Sequence, residues 1–126
     1  MPYSLNPKPK KSARVYGRGL RISPKSSVVV CRTITGRHLL KGKGILTRIL
    51  EKKESLDGKH YTNTTKAILD LLKSAESNAE FKGLAKEKLI IHASAHKGFR
   101  YMRPRKFKAR RQMRKISNIE IVLLEK

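Results

Sequence analysis

Two short apolar runs, LIIHASA (89–95) and NIEIVLL (118–124), bracket a segment that no ordinary loop explains. Both have strand length and are rich in β-branched residues. Between them lie 22 residues, and within these the stretch KGFRYMRPRKFKARRQMRK (97–115) carries ten Lys or Arg and no acid. A structureless connection of that length is uncommon inside a compact domain. The economical solution is one long β-hairpin, with its apolar base on the body and its basic middle projecting. About eleven residues per arm at roughly 3.3 Å each would reach on the order of 35 Å. That matches the width of the remaining body, about 30 Å. Such a finger cannot fold back and bury itself, because its charges would be desolvated without partners.

The distribution of charge sharpens this. The 126 residues carry a net charge of +22 and fit one domain, 1–126, with one modest core. Residues 1–50 hold twelve Lys or Arg and no acid, whereas residues 51–95 hold eight bases against seven acids. Residues 96–126 return to eleven bases and two acids. An ordinary mixed-charge surface therefore lies between two cationic ends. Self-repulsion on this scale favours a polyanionic partner. Phe99, Tyr101, Met102, Phe107 and Met113 are interleaved with the finger's cations. Lys and Arg pair with phosphates, and aromatic rings stack on unpaired bases. A merely solvated surface would mix both signs of charge, and this stretch does not. The domain divides into a basic N-terminal tail (1–12) able to order on RNA, a globular body (13–95 with 116–126) and an extended basic hairpin (96–115).

Along the body, ARVYGRGLRI (13–22) reads as a short or bulged strand with two glycines. Ser23-Pro24 is an N-cap and first-turn pair, Val28, Val30, Cys31 and Ile34 supply an apolar face, and Gly36 is a stop, so a helix is expected over 24–35. Residues 38–53 carry a second helical stripe, weakened at its start by Gly42 and Gly44. A third helix follows the turn at Asp57-Gly58, with Ile68, Leu71, Leu72, Ala75 and Ala79 on one face, Thr62 or Asn63 as cap and Gly83 as terminator. The fold class expected is α+β: three helices packed on a small antiparallel sheet with a long protruding β-hairpin. Pro104 suits a turn better than a central strand, so MRPR (102–105) is expected at the tip.

Enzyme chemistry finds no support in the residues. No Ser, His and acid stand in a nucleophile motif, and the carboxylates are read as surface partners of lysines around helices two and three. GRHLLKGKG (36–44) has the wrong glycine spacing for a phosphate loop, and Gly44 stands where a magnesium-binding hydroxyl would be needed. His92 and His96 share a face in either a helix or a strand, but they lack a third and fourth ligand, so no metal and no cofactor is expected. Cys31 is the only cysteine, which excludes an internal disulfide and fits a reducing cytosol. No apolar run is long enough to span a membrane, and the N-terminus has no secretory signal character.

The order of parts resembles a known family. RISPKSSVVVCRTITG resembles the first helix of the universal large-subunit ribosomal protein twenty-two family, whose members line the peptide exit tunnel. AILDLLKSAESNAEFKGL resembles its third helix, HASAHKGFRYMRPRKFKARR its long hairpin and ISNIEIVLLE its closing strand. The Asn-Ala-Glu-x-x-Gly-Leu and His-Lys-Gly stretches are most similar to the archaeal and eukaryotic branch. The chain departs from the family pattern at the tip, where Pro104-Arg105-Lys106-Phe107-Lys108-Ala109-Arg110 replaces the family's glycine with lysine. It also departs at Ile116-Ser117-Asn118, where a His is common.

The resemblance implies a cytoplasmic, non-enzymatic component of the large ribosomal subunit that binds ribosomal RNA and neighbouring ribosomal proteins and is not a homo-oligomer. The candidate RNA contacts in the N-terminal part are Lys8, Lys10, Lys11, Arg14, Arg18, Arg21 and Lys25. On the finger they are His96, Lys97, Arg100, Arg103, Arg105, Lys106, Lys108, Arg110, Arg111, Arg114 and Lys115. Met102, Arg103, Pro104 and Arg105 would form the tunnel-lining tip, beside the nascent polypeptide. The competing expectation is a non-ribosomal architectural protein that binds nucleic acid. It would need a groove-reading helix or a wedge strand, and the three amphipathic helices look committed to a core.

Overall fold

The computed structural model describes residues 4–104, 107–108 and 110–126. Its larger elements are β1 (Ser12–Leu20), α1 (Pro24–Ile34), α2 (Leu39–Leu50), α3 (Thr62–Phe81), β2 (Leu89–Lys97), β3 (Tyr101–Met102), β4 (Met113–Arg114) and β5 (Ser117–Glu125). The fold is α+β, as expected. Three helices pack on one face of a three-stranded antiparallel sheet of order β1-β5-β2.

β5 is the middle strand and is buried at every position from Ser117 to Leu123. Its odd-numbered residues Ile119, Ile121 and Leu123 join Ala13, Leu89, Ile91 and Ala93 in a core shared with Val30, Ile34, Leu39, Leu46, Ile68 and Leu72 of the helices. Each such fully buried aliphatic side chain contributes roughly 1.5–3 kcal/mol. β1 is the bulged strand expected: its register with β5 shifts between Gly17 and Leu20, and Gly19 sits at φ +70°. Gly17 has no room for a Cβ, which would lie 2.7 Å from a Leu71 methyl on α3.

The helices end where the glycines predict. Pro24 opens α1, and Ser23 occupies the N-cap in extended conformation, although its hydroxyl makes no capping bond. At Gly36 (φ +82°) the chain turns onto the free edge of β2. There the Gly36 N–H donates to the Ile91 carbonyl (2.8 Å) and the Ile91 N–H to the Arg37 carbonyl (2.9 Å). The α1–α2 connection thus covers an edge that would otherwise be open to pairing with another chain. Gly42, a helix-weakening residue by propensity, is where α2 meets the side chain of Ile91; a Cβ there would collide with it. α3 closes in a Schellman motif: the Gly83 N–H donates to Glu80 and the Leu84 N–H to Ala79, with Gly83 at φ +72°. Its start differs from expectation. Thr62 and Asn63 lie inside the helix and Tyr61 is the N-cap residue, in left-handed conformation at φ 42°. Thr64 and Thr65 face the core, so packing fixes where the first turn begins.

β2 and β5 pair over nine residues, from Leu89↔Glu125 to Lys97↔Ser117, and form the base of the hairpin. Further out the ladder is interrupted once. It stops at a neck where Gly98 donates to the Ile116 carbonyl (2.8 Å) and resumes as the separate pair β3–β4, joining Tyr101 to Arg114 and Met102 to Met113. Between the two ladders the register shifts by one residue, three steps from Gly98 to Tyr101 facing two from Ile116 to Arg114, and at Gly98 the arms lie so close that a Cβ would be 2.6 Å from Ile116 Cγ2.

Candidate nucleic-acid interface

Beyond the neck the finger makes no ion pairs among the described residues. Lys97, Arg100, Arg103, Lys108, Arg110, Arg111, Arg114 and Lys115 are all exposed. Arg105 and Lys106, both expected contacts, lie outside the described residues. The finger's apolar side chains face solvent as well: Phe99 is 83% exposed and Phe107 89%, which leaves both rings free for stacking. Of the expected tip residues, Met102 belongs to β3, and Arg103 follows it with its N–H donating to Gln112 (3.0 Å). Pro104 lies just past the ladder, while Arg105 is outside the described residues. The turns come further out, at Phe107–Lys108 and Arg110–Arg111, the latter with Arg111 at φ 70°.

The fold adds Lys25 to this group. The start of α1 lies beside the neck, so Ser23, Pro24 and Lys25 share a hollow of about 220 Å³ with Lys97, Arg100, Met113, Arg114 and Lys115. Five cations from three separated parts of the sequence converge there with no acid among the lining residues. Arg18 and Arg21 are exposed around the bulge and turn after β1.

The remaining N-terminal candidates lie elsewhere. Lys10 and Lys11 belong to a short 3₁₀ turn, Pro9–Lys11, that follows Lys8. This turn is fastened to α3 by Lys82, whose ammonium donates to the carbonyls of Ser12 (2.8 Å) and Pro9 (3.3 Å). Arg14 is half-buried and donates to the Pro7 carbonyl (2.9 Å), so it holds the N-terminal segment against β1. Phe81, 94% exposed, stands beside Pro9, Arg14, Asn78 and Lys82 around a hollow of about 370 Å³.

His96 turns toward the protein, with Nε2 3.6 Å from Oε1 of Glu120. Glu120 is the residue that sequence reasoning missed. It is fully buried in the middle strand, on the face away from the helices, with Tyr16 and Ser94 as its register neighbours. Its Oε1 accepts the Ser4 N–H (2.6 Å) and the Ser94 hydroxyl (2.5 Å). Burial pushes the Glu120 carboxyl up, but the hydrogen bonds from Ser4, Ser94 and His96 outweigh it and hold the group below the usual carboxylate range. Of the other acids, Glu51, Glu54, Asp70, Glu76 and Glu80 pair with Lys or Arg around α2 and α3, as expected. Glu76 pairs with Lys43 (2.5 Å) and Lys86 (3.5 Å), tying α2 to α3, and the Lys43 hydrogen bond lowers its carboxyl. Cys31 is a core residue whose thiol is pushed up to about 12 by burial. Among the described residues no His, Cys, Asp or Glu cluster could hold a metal ion, and no helix is long and apolar enough to cross a membrane.

The described residues thus form a small α+β body that carries a cationic finger without ion pairs of its own. The model of the ribosomal protein L22p/L17e family matches residues 15–123. The large ribosomal subunit protein uL22 of Methanococcus aeolicus is 33% identical over 98% of this chain and 95% of its own length. The protein of that name from Methanococcus vannielii is 35% identical with the same coverage, and that from Thermofilum pendens 35% identical over 78% of this chain and 77% of its own. The chain belongs to the L22p/L17e family of ribosomal proteins and is a structural, non-enzymatic component.

Proposed function

We propose that this chain binds the RNA of the large ribosomal subunit, with its body on the RNA surface and its finger threaded between RNA segments so that the far end lines the polypeptide exit tunnel. The observation that carries this is the finger itself: eight exposed cations among the described residues, without ion pairs, interleaved with exposed Phe99 and Phe107. Phosphates supply the missing anions and release counterions on binding. Unpaired bases supply stacking partners for the rings. Recognition then follows RNA shape more than base edges, because flexible cations track backbone. The three helices of the described residues are spent on the core, which leaves none among those residues to enter a DNA groove and favours this reading over an architectural DNA binder. The finger's end meets the nascent polypeptide, and neighbouring ribosomal proteins border the body. The direct test is sedimentation of cell lysate through a sucrose gradient. The protein is expected with the large subunit and with whole ribosomes; recovery only at the top of the gradient would reject the proposal.

A further inference from the structure

The hollow at the neck does not end at its cations. A second, shallower one of about 670 Å³ adjoins it, lined by Pro24, Lys25, Val28, Val29, Ala95, His96 and Lys97. The two share Pro24, Lys25 and Lys97, so they form one groove between α1 and the end of β2. Its two ends differ in chemistry. At the finger end stand Lys25, Lys97 and Arg100, with Arg114 and Lys115. At the other end, Val28 and Val29 line the groove one turn after Pro24 and Lys25, and Ala95 lines it from β2. These three are half-buried within the body, and nothing else among the described residues lines that end except His96. The larger of the two, about 670 Å³, falls within the range of small-molecule sites, about 300–1,000 Å³.

We infer that this groove seats a single unpaired nucleotide of RNA, with the base against Val28, Val29 and Ala95 and its phosphate among Lys25, Lys97 and Arg100. The inference rests on the RNA-binding reading above and narrows it to one site. A phosphate alone would satisfy the cations and leave the aliphatic end wet. An apolar peptide would cover the aliphatic end and leave the cations without anions. A nucleotide has a flat, weakly polar base joined to an anion, and it matches both ends at once. The aliphatic side chains offer no donors or acceptors to a base edge and His96 turns its Nε2 to Glu120, so the site selects for an unstacked nucleotide more than for its sequence.

Methyl-resolved NMR of the full chain tests this with four probes: a nucleoside 5′-monophosphate, inorganic phosphate, the free nucleoside and an acidic peptide. The monophosphate should shift the methyls of Val28, Val29 and Ala95, while inorganic phosphate should compete with it yet leave those methyls unmoved. Val28→Ser should weaken the monophosphate about fourfold, the equivalent of roughly one buried methylene, and leave inorganic phosphate unaffected. Lys97→Glu, at an exposed position, should weaken both. Identical shifts from phosphate and nucleotide would overturn the base assignment, and shifts from the acidic peptide alone would reassign the groove to a protein partner. Filter binding of structured RNA on the same samples separates the two levels. Retained RNA binding with no methyl response sinks the groove and spares the broader proposal; loss of both sinks both.

Discussion

The backbone N–H of Ser4 donates to Oε1 of Glu120 across 2.6 Å, joining the start of the chain to the middle strand of the sheet. The Ser4 hydroxyl lies 3.1 Å from that of Ser94 and 3.3 Å from Nε2 of His92. A buried carboxylate in a chain of net charge +22 therefore acts as an internal anchor for a segment that composition alone reads as a loose basic tail.

That anchor is pH-sensitive in a defined direction. The Glu120 carboxyl is held below its ordinary range, so its contribution is present above the unfolded carboxylate pKa and disappears as pH falls through the lowered folded value. Ser4, Ser94, His92 and His96 surround it, with Tyr16 opposite in register and Arg14 further along β1. The Ser4 amide, which donates to Glu120, is expected to be protected from hydrogen exchange near neutrality and to lose protection in acid. Glu120→Ala should remove the protection at every pH and cost about 1–3 kcal/mol in urea denaturation. Unchanged exchange in that variant would refute the anchor.

Gly98→Ala addresses the neck. A Cβ there would lie 2.6 Å from Ile116 Cγ2 and 3.1 Å from the Ile116 carbonyl carbon and oxygen, so the two arms must separate. The expected result is a loss of about 1–3 kcal/mol of stability, as for other overpacked sites, with weaker RNA binding because the finger's direction changes. Thermal denaturation and RNA filter binding measure the two effects.

Two glycines of α2 make opposite predictions. Gly42→Ala should destabilise the protein by about 1–3 kcal/mol, because its methyl meets the fully buried Ile91. Gly44 is exposed with open space around its Cβ position, so Gly44→Ala should stabilise by about 0.5–1 kcal/mol through helix propensity and a less flexible unfolded chain. Chemical denaturation of both variants side by side decides the matter.

If the finger meets phosphates, RNA affinity should fall about 10³-fold or more between roughly 50 and 200 mM salt. Replacing residues 99–115 with a short turn should flatten that dependence markedly while leaving a residual slope from the body. An unchanged slope would mean that the finger's cations do not contact phosphate.

Where side chains repeat with a clear period, the fold was legible. Ile68, Leu72, Ala75 and Ala79 announced α3, and the glycines at 36 and 83 announced the ends of α1 and α3 because those turns take φ > 0. The break in the hairpin was not legible, because Gly98 reads as just one more small residue in a basic run until its approach to Ile116 is seen. Glu120 was hidden for a related reason: one acid in NIEIVLL looks like the solvent face of an alternating strand. It is buried because the N-terminal segment crosses that face, a long-range contact that no local pattern encodes. The finger's cations were found from composition, whereas Lys25 joins them at the neck only through the packing of α1 beside β2.

The middle position of β5 has a consequence for how the molecule is made. β1 and β2 touch each other only through a strand that lies C-terminal to every other element. During synthesis the earlier helices can form, but neither outer strand has its sheet neighbour until residues 117–125 emerge, so the sheet closes only after β5 has been made. Until then the two outer strands present edges that another chain could join, so fast docking of β5 protects the nascent fold.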